Sequence, residues 1–255
     1  MNQPCHLTII TGASRGLGRA IASVLLEHPH QHVIGISRRS DAALSEKPGA
    51  SNSQLEQWAQ DLSDPAPAAA RLRDWLLAQD PPRFASATII NNAGVMAPPR
   101  PLGNAVFDDI AQCLRVGLEA PMLLTSAFLR GTNGWAAERK ILNVSSGLGS
   151  MARGGQAPYC AVKAGLDHFT RVLALEAAAQ TGGARAVSLY PGIVDTDMQA
   201  DLRSANPAEF PDVSRFLALK DQGLLSSPED TARKVIACLG REDFGVQTIV
   251  DLAAP

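Results

Sequence analysis

Two residues of this 255-residue chain stand where a proton could be moved. Tyr159 and Lys163 lie four apart in Tyr159-Cys160-Ala161-Val162-Lys163, inside a stretch of helical patterning, so phenol and ammonium share one helix face. A neighbouring cation favours phenolate and lowers a tyrosine pKa from about 10. Such a phenol can protonate a carbonyl oxygen or deprotonate an alcohol near neutral pH. With only 2 tyrosines in the chain and lysine also scarce, about 0.04 such pairs are expected by chance. Upstream, Ile141-Leu142-Asn143-Val144-Ser145-Ser146 ends an apolar run in two hydroxyls. A serine there can hydrogen-bond the same substrate oxygen and hold it in line for reaction. A third pattern sits near the N-terminus, where Leu7-Thr8-Ile9-Ile10-Thr11 runs into Gly12-Ala13-Ser14-Arg15-Gly16-Leu17-Gly18. A strand that turns on glycines into a helix offers backbone N–H groups to a pyrophosphate. The glycine spacing alone would recur by chance in roughly one chain in eight, so its position after the first strand carries the weight.

The elements that must position these residues are legible as alternating patterns. Apolar, β-branched runs at 7–11, 32–37, 87–91, 140–144, 184–190 and 246–251, with a weaker one near 57–60, predict strands. Amphipathic stretches at 16–27, 65–79, 107–130, 158–180 and 228–239 predict helices. This alternation predicts an α/β fold, a doubly wound parallel sheet of about seven strands with helices on both faces, as one domain over 1–255. A polar stretch at 40–52 reads as a surface connection. A longer excursion at about 197–227, with Pro207, Pro211 and Gly223, reads as a substrate lid.

Three more tracts, Asn91-Asn92-Ala93-Gly94, Asn143-Val144-Ser145-Ser146 and Pro191-Gly192-Ile193-Val194-Asp195-Thr196, join the glycine turn and the Tyr159–Lys163 pair. In this order and spacing they resemble the short-chain dehydrogenase/reductases over nearly the whole chain. The resemblance implies a Rossmann-type fold and selects Ser146 over Ser145 as the catalytic serine. It makes Tyr159 the general acid/base, and gives Lys163 both the tuning of Tyr159 and the nicotinamide ribose. By the same resemblance Gly12, Ser14, Arg15, Gly16, Leu17 and Gly18 form the pyrophosphate turn, and Asp61 and Leu62 bracket the adenine. Asn92, Ala93 and Gly94 close over the adenosine side, while Pro191, Gly192, Ile193 and Thr196 hold the carboxamide. One departure stands out. The family's helix asparagine, which positions a water linked to the lysine, is replaced by Gly117 in Arg115-Val116-Gly117-Leu118. A glycine keeps the carbonyl and permits a helix distortion that exposes it, which implies a modified proton relay.

The second strand ends Ser37-Arg38-Arg39 without a carboxylate for a ribose 2′-hydroxyl. Two guanidiniums there, with Arg15, suit a 2′-phosphate, so the expected cofactor is NADP(H). Asp195-Thr196-Asp197-Met198-Gln199, Tyr159-Cys160-Ala161 and Leu173-Ala174-Leu175-Glu176 look like sepiapterin reductases and bacterial benzil reductases. That implies reduction of a ketone or vicinal dicarbonyl. Asp251 stands where sepiapterin reductases anchor the pterin, although many members end this strand in Val-Asp for structural reasons. A 3-oxoacyl carrier-protein reductase and a non-catalytic NADP(H) sensor are the competing readings. The resemblance also implies a homodimer or homotetramer formed through the helices at 107–130 and 158–180, which are rich in small residues.

Composition excludes other classes. Lys and Arg number 23 against 25 Asp and Glu, and without a basic cluster no nucleic-acid partner is expected. No apolar run suits a membrane span, and Met1-Asn2-Gln3-Pro4-Cys5-His6 shows no export signal. Cys5, Cys113, Cys160 and Cys238 lack Cys-x-x-Cys spacing, which fits a reducing cytoplasm and neither a disulfide framework nor a zinc site. His28-Pro29-His30-Gln31-His32 has no carboxylate beside it and predicts no metal site.

Overall fold

Successive residues of a strand point to opposite sheet faces, and in this chain both faces are covered. Ile9 and Ile10 are each fully buried, yet they enter different hydrophobic clusters, as do Ile89 and Ile90, and Ile141 and Leu142. The computed structural model describes residues 4–253. Its strands are β1 (Cys5–Thr11), β2 (Gln31–Ser37), β3 (Gln54–Ala59), β4 (Phe84–Asn91), β5 (Glu138–Val144), β6 (Arg185–Tyr190) and β7 (Ile249–Asp251). They form a parallel sheet in the order β3-β2-β1-β4-β5-β6-β7. The helices are α1 (Gly16–Leu25), α2 (Ala42–Glu46), α3 (Pro65–Leu77), α4 (Phe107–Leu114), α5 (Ala120–Gly131), α6 (Ala157–Ala178), α7 (Asp197–Arg203), α8 (Val213–Asp221) and α9 (Pro228–Leu239). One face is packed by α1 and α9, through Ile21, Val24, Ala232 and Val235. The other is packed by α3, α5 and α6, through Leu72, Leu76, Leu124, Phe128 and Leu173. This is the expected Rossmann-type α/β sheet. Strand order reverses between β1 and β4, so the chain diverges there and leaves a crevice at the strands' C-terminal ends.

Several boundaries differ from the sequence reading, for local physical reasons. The helix expected over 107–130 is broken at Arg115–Glu119 into one turn of π-helix. The last strand is short because Val246 is 80% exposed and only Ile249–Asp251 pairs with β6. The weak strand begins earlier than expected, at Gln54, paired along β2. Within the polar 40–52 stretch, Asp41 caps α2 by accepting from Ala43 N at 3.0 Å. The late excursion holds α7 and α8 around its own cluster of Leu202, Phe210, Val213 and Phe216. Its ends meet at a Val194–Ser226 bridge, where Ser226 N donates to Ile193 O at 2.9 Å and Asp195 N to Ser226 O at 2.9 Å. Among the described residues no helix is long and apolar enough to cross a membrane, and no three His, Cys, Asp or Glu side chains converge.

Candidate active site

The crevice is a cavity of about 760 Å³ at the C-terminal edge of the sheet. Every site residue expected from sequence lines it except Gly18. Gly18 is needed one layer back, where a Cβ would fall onto the Gly12 carbonyl and the Asn92 amide. Gly12 and Gly16 hold positive φ of 70° and 54°, which glycine adopts without strain. The turn is tied to the end of β4. Thr11 Oγ1 accepts from the N–H groups of Asn92 and Ala93, both at 2.9 Å, and Asn92 Nδ2 donates to Thr11 O at 3.0 Å. Free backbone N–H groups at a helix start, with no Cβ to obstruct approach, fit the pyrophosphate of a dinucleotide.

Arg38, Arg39 and Arg15 are exposed and line the cavity, together with Asp61 and Leu62. The Ser63 N–H, helped by Arg38, holds the Asp61 carboxyl below the usual carboxylate range. Arg15 Nη1 also donates to Asp197 Oδ2 at 2.8 Å, which joins the glycine turn to α7. Gly192, at φ 80°, turns the chain after β6, so that Pro191, Ile193 and Thr196 border the cavity beside the glycine turn.

Ser146, Tyr159 and Lys163 meet in the same cavity. Ser146 caps the short turn after β5, its Oγ accepting from Leu148 N at 3.2 Å. Lys163 is 5% exposed and donates to Val144 O at 2.8 Å. Its Nζ lies 5.4 Å from the Tyr159 ring centre. Burial pushes the Tyr159 phenol up to about 12, against the Ser146 hydrogen bond that draws it down. Burial also pushes the Lys163 ammonium down to about 8. Desolvation of the phenol thus opposes the lowering expected from the pair's spacing.

Gly117 lies inside the π-helical turn, so the distortion expected of it is present. It also has a packing reason: a Cβ there would lie 2.6 Å from Val162 Cγ1, on the turn between Tyr159 and Lys163. Sequence reasoning missed the polar frame beneath the site. Asn91 Nδ2 donates to Asn143 Oδ1 at 2.8 Å, and Asn143 Nδ2 donates to Thr170 Oγ1 at 2.8 Å. This ladder pins β4 to β5 and β5 to α6. Asp167, 2% exposed, accepts from Ser188 Oγ at 2.5 Å and Tyr190 OH at 2.6 Å. The only sequence signal for it was its place four residues after Lys163. Asp251 is exposed and lines the cavity, whereas His168 is exposed away from it.

A glycine turn suited to a dinucleotide and a serine, tyrosine and lysine line one crevice, an arrangement that fits an oxidoreductase. A family model described as short chain dehydrogenase matches residues 6–207, and the chain belongs to that family. A benzil reductase ((S)-benzoin forming) of Bacillus cereus is 36% identical over 236 residues, covering 92% of this chain and 94% of that one. A 3-oxoacyl-acyl-carrier-protein reductase of Vibrio harveyi is 31% identical, covering 92% of this chain and 90% of that one. A sepiapterin reductase of Rattus norvegicus is 30% identical, covering 97% and 96%. Among solved structures, the KRED1-Pglu enzyme superposes with a TM-score of 0.79 at 28% identity, covering 94% of this chain and 98% of that one.

Proposed function

We propose that this chain is an NADPH-dependent carbonyl reductase acting on a ketone or vicinal dicarbonyl. The observation that carries the reading is the convergence of Ser146, Tyr159 and Lys163 in a cavity also lined by Arg15, Arg38 and Arg39. The benzil reductase of 36% identity supports a dicarbonyl substrate. Three guanidiniums, with no acid at the end of β2, suit the 2′-phosphate of NADP over the 2′-hydroxyl of NAD.

Bound NADPH supplies the hydride. The Ser146 hydroxyl orients the substrate carbonyl oxygen toward Tyr159, and the Tyr159 phenol, protonated throughout the neutral range, donates its proton to that oxygen as charge develops. Lys163 stabilises the phenolate left behind and holds the nicotinamide ribose. The excursion closed at Val194–Ser226 forms the substrate lid, with Met198, Leu202, Phe216 and Leu219 as its apolar cavity wall. Met122 on α5 and Val172 and Leu175 on α6 are exposed apolar residues that suit association of two copies through these helices. Four free cysteines fit a cytoplasmic setting.

The test is oxidation of NADPH and NADH by wild type and Tyr159→Phe with benzil, sepiapterin and simpler ketones. The reading expects NADPH-driven reduction, lowered at least about 100-fold by the substitution with NADPH affinity retained. NADPH binding without turnover of any substrate would favour the sensor reading. Absence of NADPH binding would overturn the cofactor assignment.

A further inference from the structure

Lys163 is useful to Tyr159 only while it carries its proton, yet it sits in a buried layer that disfavours charge. The groups around it leave few sources of compensation. From β5 it meets the neutral Val144 carbonyl at 2.8 Å. From α4 it is faced by Cys113, which is fully buried and whose thiol burial pushes up, so that it is a neutral neighbour. On its own helix Tyr159 lies one turn before it, also protonated. One turn after it comes Asp167, the i+4 neighbour on the same face.

The surroundings of Asp167 are arranged to hold a carboxylate. Ser188 and Tyr190 reach it from β6 with hydroxyl hydrogens, one to each oxygen, at 2.5 and 2.6 Å. Gly149 packs flat against it from the turn that begins at Ser146, and any Cβ there would strike the carboxylate oxygen. The other charged or hydrogen-bonding groups near this cluster are Arg171 on α6 and Ser150 beside the Tyr190 hydroxyl. Charge-assisted hydrogen bonds of this kind are among the stronger ones in a low-dielectric interior.

We propose that Asp167 is a positioning residue of the proton-transfer machinery, a buried counter-charge that Ser188 and Tyr190 clamp one helical turn after Lys163 and that keeps the lysine an ammonium. The same carboxylate joins the three segments that meet at the site. These are the Ser146 turn through Gly149, the helix of Tyr159 and Lys163, and the end of β6 that leads into Pro191 and Gly192. The catalytic consequence rests on the roles proposed above for Tyr159 and Lys163, whereas the charge relation itself does not.

Two readouts separate these. Lysine labelled with ¹³C at Cε reports the titration of Lys163 directly by NMR, with its signal assigned by its absence in Lys163→Met. In Asp167→Asn, which keeps the side chain's shape and removes its charge, the Lys163 midpoint is expected to fall by about one pH unit. The alkaline limb of ketone reduction is expected to move down with it. A folded Asp167→Asn protein with an unmoved Lys163 midpoint overturns the proposal, and so does a uniform loss of activity without a shift of the limb. Should Asp167→Asn not fold, the Ser188→Ala/Tyr190→Phe double variant removes both hydroxyl donors to the carboxylate and is expected to shift Lys163 in the same direction. An unshifted midpoint there overturns the proposal equally. A shifted midpoint in a protein that reduces no ketone would retain the counter-charge and overturn the reductase reading alone.

Discussion

Lys163 reaches the Val144 carbonyl from a position 5% exposed, and that burial pushes its ammonium down from 10.5 to about 8. The sign of the consequence follows from linkage. Between about 8 and 10.5 the unfolded chain holds the lysine proton and the folded chain has released it, so stability rises with pH across this window. At neutral pH the buried charge is a cost. In Lys163→Met that cost disappears, offset by about 1 kcal/mol for the partner the Val144 carbonyl loses. The variant is therefore expected to be about 1–2 kcal/mol more stable than wild type at pH 7, a few degrees in Tm, while ketone reduction is abolished. Its advantage should shrink as melts are repeated toward pH 10. A variant that is less stable at pH 7, with a gap to wild type that does not change with pH, would contradict the desolvation account of this lysine.

At the scale of elements, the π-helical turn at Arg115–Glu119 and the α6 turn that carries Val162 are packed as a matched pair. With a Cβ at position 117 lying 2.6 Å from Val162 Cγ1, restoring the family's asparagine by Gly117→Asn would push α6 outward at the turn between Tyr159 and Lys163. The expected cost is about 1–3 kcal/mol in urea or thermal unfolding, accompanied by loss of activity. Adding Val162→Ala opens the space and should recover most of both; an equally damaged double variant would show that the glycine serves backbone conformation and not packing. The same turn shows what a sequence can and cannot display. Buried strands such as β1 and β4 were legible because both faces are apolar, and the glycine turn and Tyr159–Lys163 because their chemistry is set by spacing along one segment. The break in 107–130 left no periodic mark, since the apolar pattern of α4 resumes in α5. Edge strands β3 and β7 were blurred because partial burial relaxes the pattern, with Trp58 the one buried residue of β3. Asp167, Tyr190 and the Asn91–Asn143 ladder were hidden for a third reason: they acquire meaning only when strand register brings β4, β5, β6 and α6 together.

Across the whole molecule, core is unequally distributed, and the inequality falls where a substrate would enter. The two large clusters flank the sheet, whereas α7 and α8 rest on a separate small cluster of Leu202, Phe210, Val213 and Phe216. Their links to the body are local. Arg15 and Asp197 form an exposed ion pair, worth little in water. Arg153 meets Asp212 at 3.3 Å and lies over the Phe216 ring at 5.1 Å, and Gly155 faces Phe210 so closely that a Cβ would come within 3.0 Å of its ring. A segment closed at one bridge and resting on its own small cluster is expected to lie at the low-stability end of the fold and to open without unfolding the sheet. Phe210→Ala removes the largest fully buried side chain of that cluster. A Phe→Ala truncation in a core costs about 3–5 kcal/mol, but here the loss is expected to fall on the α7–α8 unit. Amide exchange in α7 and α8 should accelerate by about 100-fold or more, a factor of ten per 1.4 kcal/mol, while exchange in β1 and β4 and the global Tm stay nearly unchanged. On the proposed cofactor placement, KM for the ketone should rise more than the NADPH Kd, because the glycine turn and β2 lie outside α7 and α8. A Tm that falls by the full core penalty, with β1 and β4 exchanging faster as well, would instead make the excursion an integral part of the cooperative fold and remove the physical basis for a lid.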